Sequence, residues 1–129
     1  LVRRVVSQLF CTGKSTHCNL GKKTVINVAK YGESATMLPI IGVDFEKLTV
    51  NEDHLLVWKI GGRSRYRAMW DRYYQRMAGF VFVVDSSDHQ TIDEARQQLH
   101  QLIKDDNARG KPVLIFANKQ DLPQAMSVD

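Results

Sequence analysis

Residues 112–121 read PVLIFANKQD, an apolar run that gives way to four polar residues. A continuous apolar run of this kind is typical of a parallel strand that is buried on both faces. In an open α/β sheet, the loop after such a strand lies at the carboxyl edge, which is where ligands bind. This stretch therefore predicts a buried strand that presents Asn118, Lys119 and Asp121 at a ligand-binding edge.

The polar tetrad has side chains that suit a flat, polar base. Asn118 can both donate and accept hydrogen bonds, and the aliphatic stem of Lys119 can lie over a ring. Asp121 can accept two hydrogen bonds side by side, which matches the N1–H and amino group of guanine and not the edge of adenine. Taken alone, the tetrad is equally compatible with a simple turn, so the phosphate half of a nucleotide site must come from elsewhere in the chain.

The composition indicates a single globular domain over residues 1–129. Hydrophobic residues make up 43% of the chain and charged residues 25%, which are ordinary values, and the net charge is +4. No apolar run approaches the roughly 18 residues of a membrane span, and no signal-peptide pattern is present. Cys11 and Cys18 lack the spacing of a zinc site, which favours reduced thiols in an intracellular protein. Because the chain starts at Leu1 rather than Met, we treat its N-terminus as incomplete.

Strand and helix patterns alternate along the chain and predict an α/β fold with a mostly parallel sheet. Apolar runs predict strands at residues 4–10, 42–50, 55–60, 79–84 and 112–117. The polar residues 51–54 join the second and third strands as a hairpin. Apolar residues at helical spacing predict a helix that ends near Asp105, and Thr91 with Glu94 forms a capping-box pattern at its start.

Two Gly-Lys steps compete for the role of a phosphate-binding loop. Residues 13–15 read Gly-Lys-Ser and residues 21–24 read Gly-Lys-Lys-Thr. A phosphate loop needs Gly-x₄-Gly-Lys-Ser/Thr between a strand and a helix, because its backbone N–H groups close on the phosphates. The first candidate has Gln8 where the leading glycine belongs. The second has Thr16 in that place, and Lys23 where the hydroxyl that holds Mg²⁺ belongs.

Four stretches of the chain, in consistent order, resemble the Arf and Arf-like branch of the Ras-type small GTPases. They are Pro39-x-Ile41-Gly42, Trp58-x-Ile60-Gly61-Gly62, Phe82-Val83-Val84-Asp85-Ser86 and Phe116-Ala117-Asn118-Lys119-Gln120-Asp121-Leu122-Pro123. The resemblance runs from about Gly21 to Asp129. It implies a Ras-like P-loop GTPase domain, a mostly parallel sheet flanked by helices, and we expect the last helix–strand–helix to be missing.

The resemblance also implies a guanine nucleotide, GTP or GDP, and the residues that would bind it. Counting back from Pro39, the family's loop lysine falls on Lys22 without a gap, although residues 13–15 remain the alternative. The phosphates would then be held by Gly21, Lys22 and Thr24, with Gly62 at the γ-phosphate. The base would be read by Asn118, Lys119 and Asp121.

Departures from the family pattern gather on the magnesium and γ-phosphate site. The loop hydroxyl is Lys23, the switch threonine is Ile40, the aspartate before the double glycine is Lys59, and the water-orienting glutamine is Arg63. Since Mg²⁺ takes oxygen ligands and hydrolysis depends on positioning and charge neutralisation, we predict no catalytic and no metal-binding residues, doubtful Mg²⁺ binding and weak or absent hydrolysis. A sharper hypothesis is that Lys23 and Lys59 replace the charge of the metal.

The resemblance implies partners as well. We expect effector and exchange-factor proteins at the switch segments, a cytoplasmic location with peripheral membrane association, a role in membrane traffic or related switching, and no nucleic-acid partner. The alternative is a nucleotide-free scaffold that acts through the hairpin and the surface from Arg63 to Met77. In that segment arginines alternate with aromatic residues, and we expect the aromatic residues to pack inward while the arginines are solvated.

Overall fold

A computed structural model describes residues 5–10 by their backbone, together with residues 26, 43–50, 53–62 and 64–129. The predicted strands are present as β1 (Val5–Phe10), β2 (Val43–Val50), β3 (Asp53–Ile60), β4 (Gly79–Asp85) and β5 (Val113–Asn118). They form one sheet in the order β2-β3-β1-β4-β5. β2 and β3 are antiparallel, and every other neighbouring pair is parallel. The predicted mostly parallel sheet with one hairpin is therefore confirmed.

The described helices are α1 (Ser64–Arg67), α2 (Asp71–Tyr74) and α3 (Ile92–Lys104). The helix predicted to end near Asp105 is confirmed, but the prediction of a capping box at its start is wrong. Thr91 makes no side-chain hydrogen bond to the helix start. Its backbone N–H donates to Asp88 Oδ1 at 3.3 Å, and the Glu94 carboxylate is bound by an arginine from another element. None of the described helices is long and apolar enough to cross a bilayer.

The sheet packs against apolar side chains on both faces. On one face, Ile60 and Phe82 meet Leu102 of α3, and all three are fully buried. On the other face, Val57 and Val83 pack with Ile26. Successive strand residues point to opposite faces, so neighbours such as Phe82 and Val83 serve different cores. The carboxyl edge of the parallel strands is thus supported from both sides.

β5 differs from its prediction as a fully buried strand. Its central side chains Leu114, Ile115 and Phe116 are 55%, 51% and 39% exposed. The reason is its position, since β5 is the last strand of the sheet among the described residues and only β4 lies beside it. Its apolar sequence is nevertheless that of an interior strand.

The start of β4 lies close to the chain that leads into β5. A Cβ atom on Gly79 would lie 3.1 Å from Pro112 Cγ and 3.2 Å from the Pro112 carbonyl oxygen. The backbone N–H of Phe80 donates to that carbonyl at 2.9 Å. Glycine at position 79 therefore allows the two strands to pair from their first residues, which sets the register that aligns their carboxyl ends.

Candidate functional site

The tetrad lies at the carboxyl edge of the sheet, as the sequence predicts. Asn118 ends β5 and is the register partner of Asp85, which ends β4. The backbone N–H of Ser86 donates to the Asn118 carbonyl oxygen at 3.0 Å, which ties the two strand ends together. Asn118 is half-buried, and Asp121 is exposed on the loop that follows. The amide that suits a guanine edge is therefore at the end of β5, and the carboxylate is on the loop that follows. The start of this loop is held in place by β4.

Lys119 is tethered across the gap between the two strands. It has a left-handed backbone with φ of 64°, and its Nζ lies 2.6 Å from Asp85 Oδ2. Asp85 Oδ1 accepts hydrogen bonds from the Ser87 N–H at 2.9 Å and from the Ser87 hydroxyl at 2.6 Å. Burial by itself would raise the pKa of Asp85, but the bonds from Lys119 and Ser87 outweigh it and hold that pKa below its ordinary value. Asp85 is therefore charged at neutral pH and holds the lysine by a charge-assisted bond.

Ser86 joins the tetrad to the chain that follows it, a role that the sequence did not reveal. Its hydroxyl oxygen accepts a hydrogen bond from Gln120 Nε2 at 2.8 Å, and its carbonyl accepts one from the Met126 N–H at 2.7 Å. Gln120 Nε2 also donates to the Met126 carbonyl at 3.2 Å. The only sequence signal was the position of Ser86 directly after a strand-ending aspartate. These bonds restrict the loop without using Asn118 or Asp121.

The double glycine after β3 lies on the same edge of the sheet. Two strands, β1 and β4, separate β3 from β5, so three steps of about 4.8 Å put roughly 14 Å between the ends of β3 and β5. That span is comparable with the distance from the base to the terminal phosphate of a nucleotide. Gly62 is buried at this end of the sheet, and its place at the γ-phosphate stays a prediction.

Side chains from the following segment hold both glycine carbonyls. Trp70 Nε1 donates to the Gly61 carbonyl at 3.2 Å, and Arg67 Nε donates to the Gly62 carbonyl at 3.0 Å. Arg67 Nη1 also forms an ion pair with Glu94 Oε1 on α3 at 2.7 Å. The other Glu94 oxygen is buried and has no hydrogen-bond partner among the described residues. The orientation of the double glycine is therefore coupled to α3 through one arginine.

Two of the four aromatic residues of this segment pack fully inward, as expected, and Tyr66 and Tyr73 are half-buried. Trp70 and Tyr74 are buried, whereas the side chains of Arg65, Arg72 and Arg76 are exposed. Arg67 is the exception to the expected solvated arginines, because its side chain is only 12% exposed and is paired with Glu94.

Lys59 is engaged by its own hairpin. Its side chain is 7% exposed, and its Nζ lies 2.8 Å from Asp44 Oδ2 and 3.0 Å from Glu46 Oε2 on β2. Burial would lower the pKa of Lys59, but the two carboxylates more than compensate and raise it. The ammonium of Lys59 is therefore in contact with two carboxylates of β2. The hypothesis that Lys23 and Lys59 together replace the charge of a metal ion stays a prediction, because Lys23 lies outside the described residues.

Magnesium does not fit the described residues at this edge. Lys59 stands where the family pattern has a carboxylate, and an ammonium group cannot ligate a cation. Asp44 and Glu46 are already bound to that ammonium. Within the described ranges, no group of three or more His, Cys, Asp or Glu side chains could hold a metal ion.

The predicted phosphate residues Gly21, Lys22 and Thr24 lie outside the described residues, as do both Gly-Lys steps. The same is true of Lys23, Ile40 and Arg63, three of the four substitutions at the predicted γ-phosphate site. Of the predicted binding residues, the structure therefore positions Gly62, Asn118, Lys119 and Asp121.

A family model described as the ADP-ribosylation factor family matches residues 12–129. The chain belongs to the ADP-ribosylation factor family. The resemblance inferred from the motifs is confirmed, and with it the assignment to the nucleotide-binding small GTPases.

Solved structures agree on the fold. The chain is similar to the Arl6 (BBS3) small GTPase from Trypanosoma brucei, solved with the nucleotide analogue GppNp, at 28% identity and a TM-score of 0.78. That match covers 95% of this chain and 73% of the other. The mammalian SRP receptor matches at 23% identity with a TM-score of 0.80, over 95% of this chain and 66% of that one, which is evidence for the fold alone. The predicted Ras-like fold is confirmed, while the missing last helix–strand–helix stays a prediction.

Proposed function

We propose that this member of the ADP-ribosylation factor family is a guanine-nucleotide-binding switch protein in membrane traffic or related intracellular regulation. The observation that carries the proposal is the base-recognition loop, in which Lys119 is held by Asp85 beside Asn118 and Asp121. Asp121 would pair with N1–H and the amino group of guanine, Asn118 would bond to the polar edge of the ring, and the stem of Lys119 would cover its face. Effectors, exchange factors and a membrane surface are proposed as its partners.

The phosphate half of the proposed site rests on the family pattern. Gly21, Lys22 and Thr24 would surround the phosphates, and the backbone of Gly62 would meet the γ-phosphate. Hydrolysis is proposed to be weak or absent, because neither Lys59 nor Arg63 can do the work of the carboxylate and the amide that they replace. The bound nucleotide would then be exchanged rather than consumed.

Calorimetry with GDP, GTP and ATP tests base recognition. We expect the guanine nucleotides to bind and ATP not to bind. Asp121→Ala should weaken GDP binding by roughly 100-fold, because it removes two charge-assisted hydrogen bonds. Asp129→Ala, which removes another exposed carboxylate near the end of the chain, is the matched control and should bind like the wild type. Equal affinity for ATP, or an Asp121→Ala variant that binds GDP normally, would contradict the proposal.

The same titration with and without a chelator tests the metal. We expect GDP affinity to be unchanged when Mg²⁺ is removed, and single-turnover assays to detect no hydrolysis above the spontaneous rate. A strong requirement for Mg²⁺ would show that residues outside the described ranges rebuild the metal site.

A second candidate function is a nucleotide-free scaffold that binds proteins through the hairpin and the segment after it. The observation in its favour is an aromatic row on that face. Phe45 is 63% exposed and lies 5.9 Å from the Trp58 ring, which in turn lies 5.6 Å from Tyr73. Phe45 is the exposed member of the row, while Trp58 and Tyr73 are partly buried against the core. Aromatic side chains are enriched at protein interfaces. A chain that binds no nucleotide in calorimetry, but loses a protein partner on Phe45→Ala, would favour this function over the first.

A further inference from the structure

The Lys119 side chain is anchored at its far end, beyond the part that would meet a base. Its Nζ lies 2.6 Å from Asp85 Oδ2, and the Asp85 side chain is 9% exposed. A free lysine has four flexible torsions, which a ligand would otherwise have to order on binding. With both the backbone and the ammonium fixed, the aliphatic stem between them is restricted as well.

Asp85 is itself held in one orientation. Both bonds from Ser87 go to Oδ1, and this leaves Oδ2 for the lysine. Asp85 is also the register partner of Asn118, so the carboxylate belongs to the strand that supports the tetrad. Ser87 therefore orients the Asp85 carboxylate, and that carboxylate holds the Lys119 ammonium.

We infer that Asp85 is a positioning residue for base binding: its carboxylate fixes the Lys119 ammonium so that the stem of Lys119 stands as a preformed support for the guanine ring. This inference rests on the proposed guanine-nucleotide function. Because the ammonium is neutralised by Asp85, Lys119 acts through its apolar stem and its fixed geometry rather than through free charge. Asp85 contributes without touching the nucleotide.

A double-mutant cycle measures whether Asp85 acts through Lys119. GDP affinity is determined by calorimetry for the full chain, for Asp85→Asn, for Lys119→Met and for the double variant. We expect Asp85→Asn to weaken binding by roughly tenfold, since the ligand must then order a free lysine. Lys119→Met should cause a loss of similar size, and adding Asp85→Asn to it should cause no further loss.

Two further variants separate positioning from folding. Asp85→Glu keeps the charge on a longer arm and should restore most of the affinity that Asp85→Asn loses. Asp88→Asn removes a carboxylate from the same loop whose bonds go to the backbone N–H groups of Gln90 and Thr91, and it should leave GDP affinity unchanged. Thermal unfolding of each variant verifies that the chain is folded during the titration.

Amine acylation tests the anchor in the absence of nucleotide. Lys119 should react with acetic anhydride more slowly than the exposed Lys104 in the wild type, and both should react alike in Asp85→Asn, as read by peptide mass spectrometry. Equal reactivity of Lys119 in the two proteins, a wild-type affinity in Asp85→Asn, or additive losses in the cycle would each overturn the inference alone. A wild-type chain that binds no guanine nucleotide would overturn it together with the proposed function.

Discussion

Lys59 shows how one side chain can change the chemistry of a strand end. Its ammonium lies between Asp44 and Glu46, so Lys59→Met would remove the cation that both carboxylates contact. We expect the free energy of unfolding to fall by about 1–2 kcal/mol, below the usual cost of breaking a buried pair because Asp44 is half-exposed. Urea unfolding at pH 7 measures the change. Lys47→Met, which removes an exposed lysine from the same hairpin, should cost far less, and equal losses would contradict this account.

Asp85 gives the stability of the protein a pH dependence that can be measured. Its pKa is lowered from the ordinary value of 3.8, so its charge stabilises the folded state above pH 3.8 and that stabilisation is lost as the pH falls through the lowered pKa. Asp85→Asn should therefore be less stable than the wild type at pH 7, and the difference should shrink below pH 3.8. Urea unfolding at pH 7, 5 and 3 measures it. Asp93→Asn, at an exposed carboxylate of α3, is the control and should differ little in stability from the wild type at pH 7.

At the scale of elements, α1 is connected to the double glycine and to α3 by Arg67. Arg67→Ala would remove the bond to the Gly62 carbonyl and leave the Glu94 carboxylate without its cation. We expect a loss of about 2–3 kcal/mol, because Glu94 is largely buried. Hydrogen exchange of the amides of residues 61–67 should also become faster. Arg72→Ala removes an exposed arginine of α2 and should change neither quantity; similar effects of the two would show that the tether is unimportant.

Most elements could be predicted because their signals are local. Apolar runs gave β2 to β5, and the helical spacing of apolar residues gave α3. The capping box predicted at Thr91 is absent: the Thr91 N–H donates to Asp88, and Glu94 forms an ion pair with Arg67 of another element, which no local pattern contains. The partners of Lys59 depend on the register of the hairpin, in which Asp44 lies directly opposite. The tetrad was recognisable from its spacing, whereas its supports, Asp85 and Ser86, became apparent only once β4 and β5 were aligned.

At the scale of the whole molecule, the sheet has an exposed apolar edge. β5 has the sequence of an interior strand, yet Leu114 and Ile115 are more than half exposed and point to opposite faces. An apolar edge strand can pair with the same strand of another copy, which satisfies its free backbone groups and brings its apolar side chains against those of the partner strand on both faces. We therefore expect this 129-residue chain to self-associate with rising concentration, as measured by sedimentation velocity.

Charge placed on β5 should prevent that association. Leu114→Lys and Ile115→Lys each put an ammonium on one face of the strand, where pairing would desolvate it, and each should shift the chain towards the monomer. Both positions are already exposed, so the free energy of unfolding should change by less than about 1 kcal/mol. Val128→Lys is the matched control, because Val128 is 75% exposed but lies outside the strand. If all three variants associate like the wild type, the contact between copies does not use β5, which contradicts the prediction. If Val128→Lys alone becomes monomeric, the contact lies at the end of the chain, which contradicts it as well.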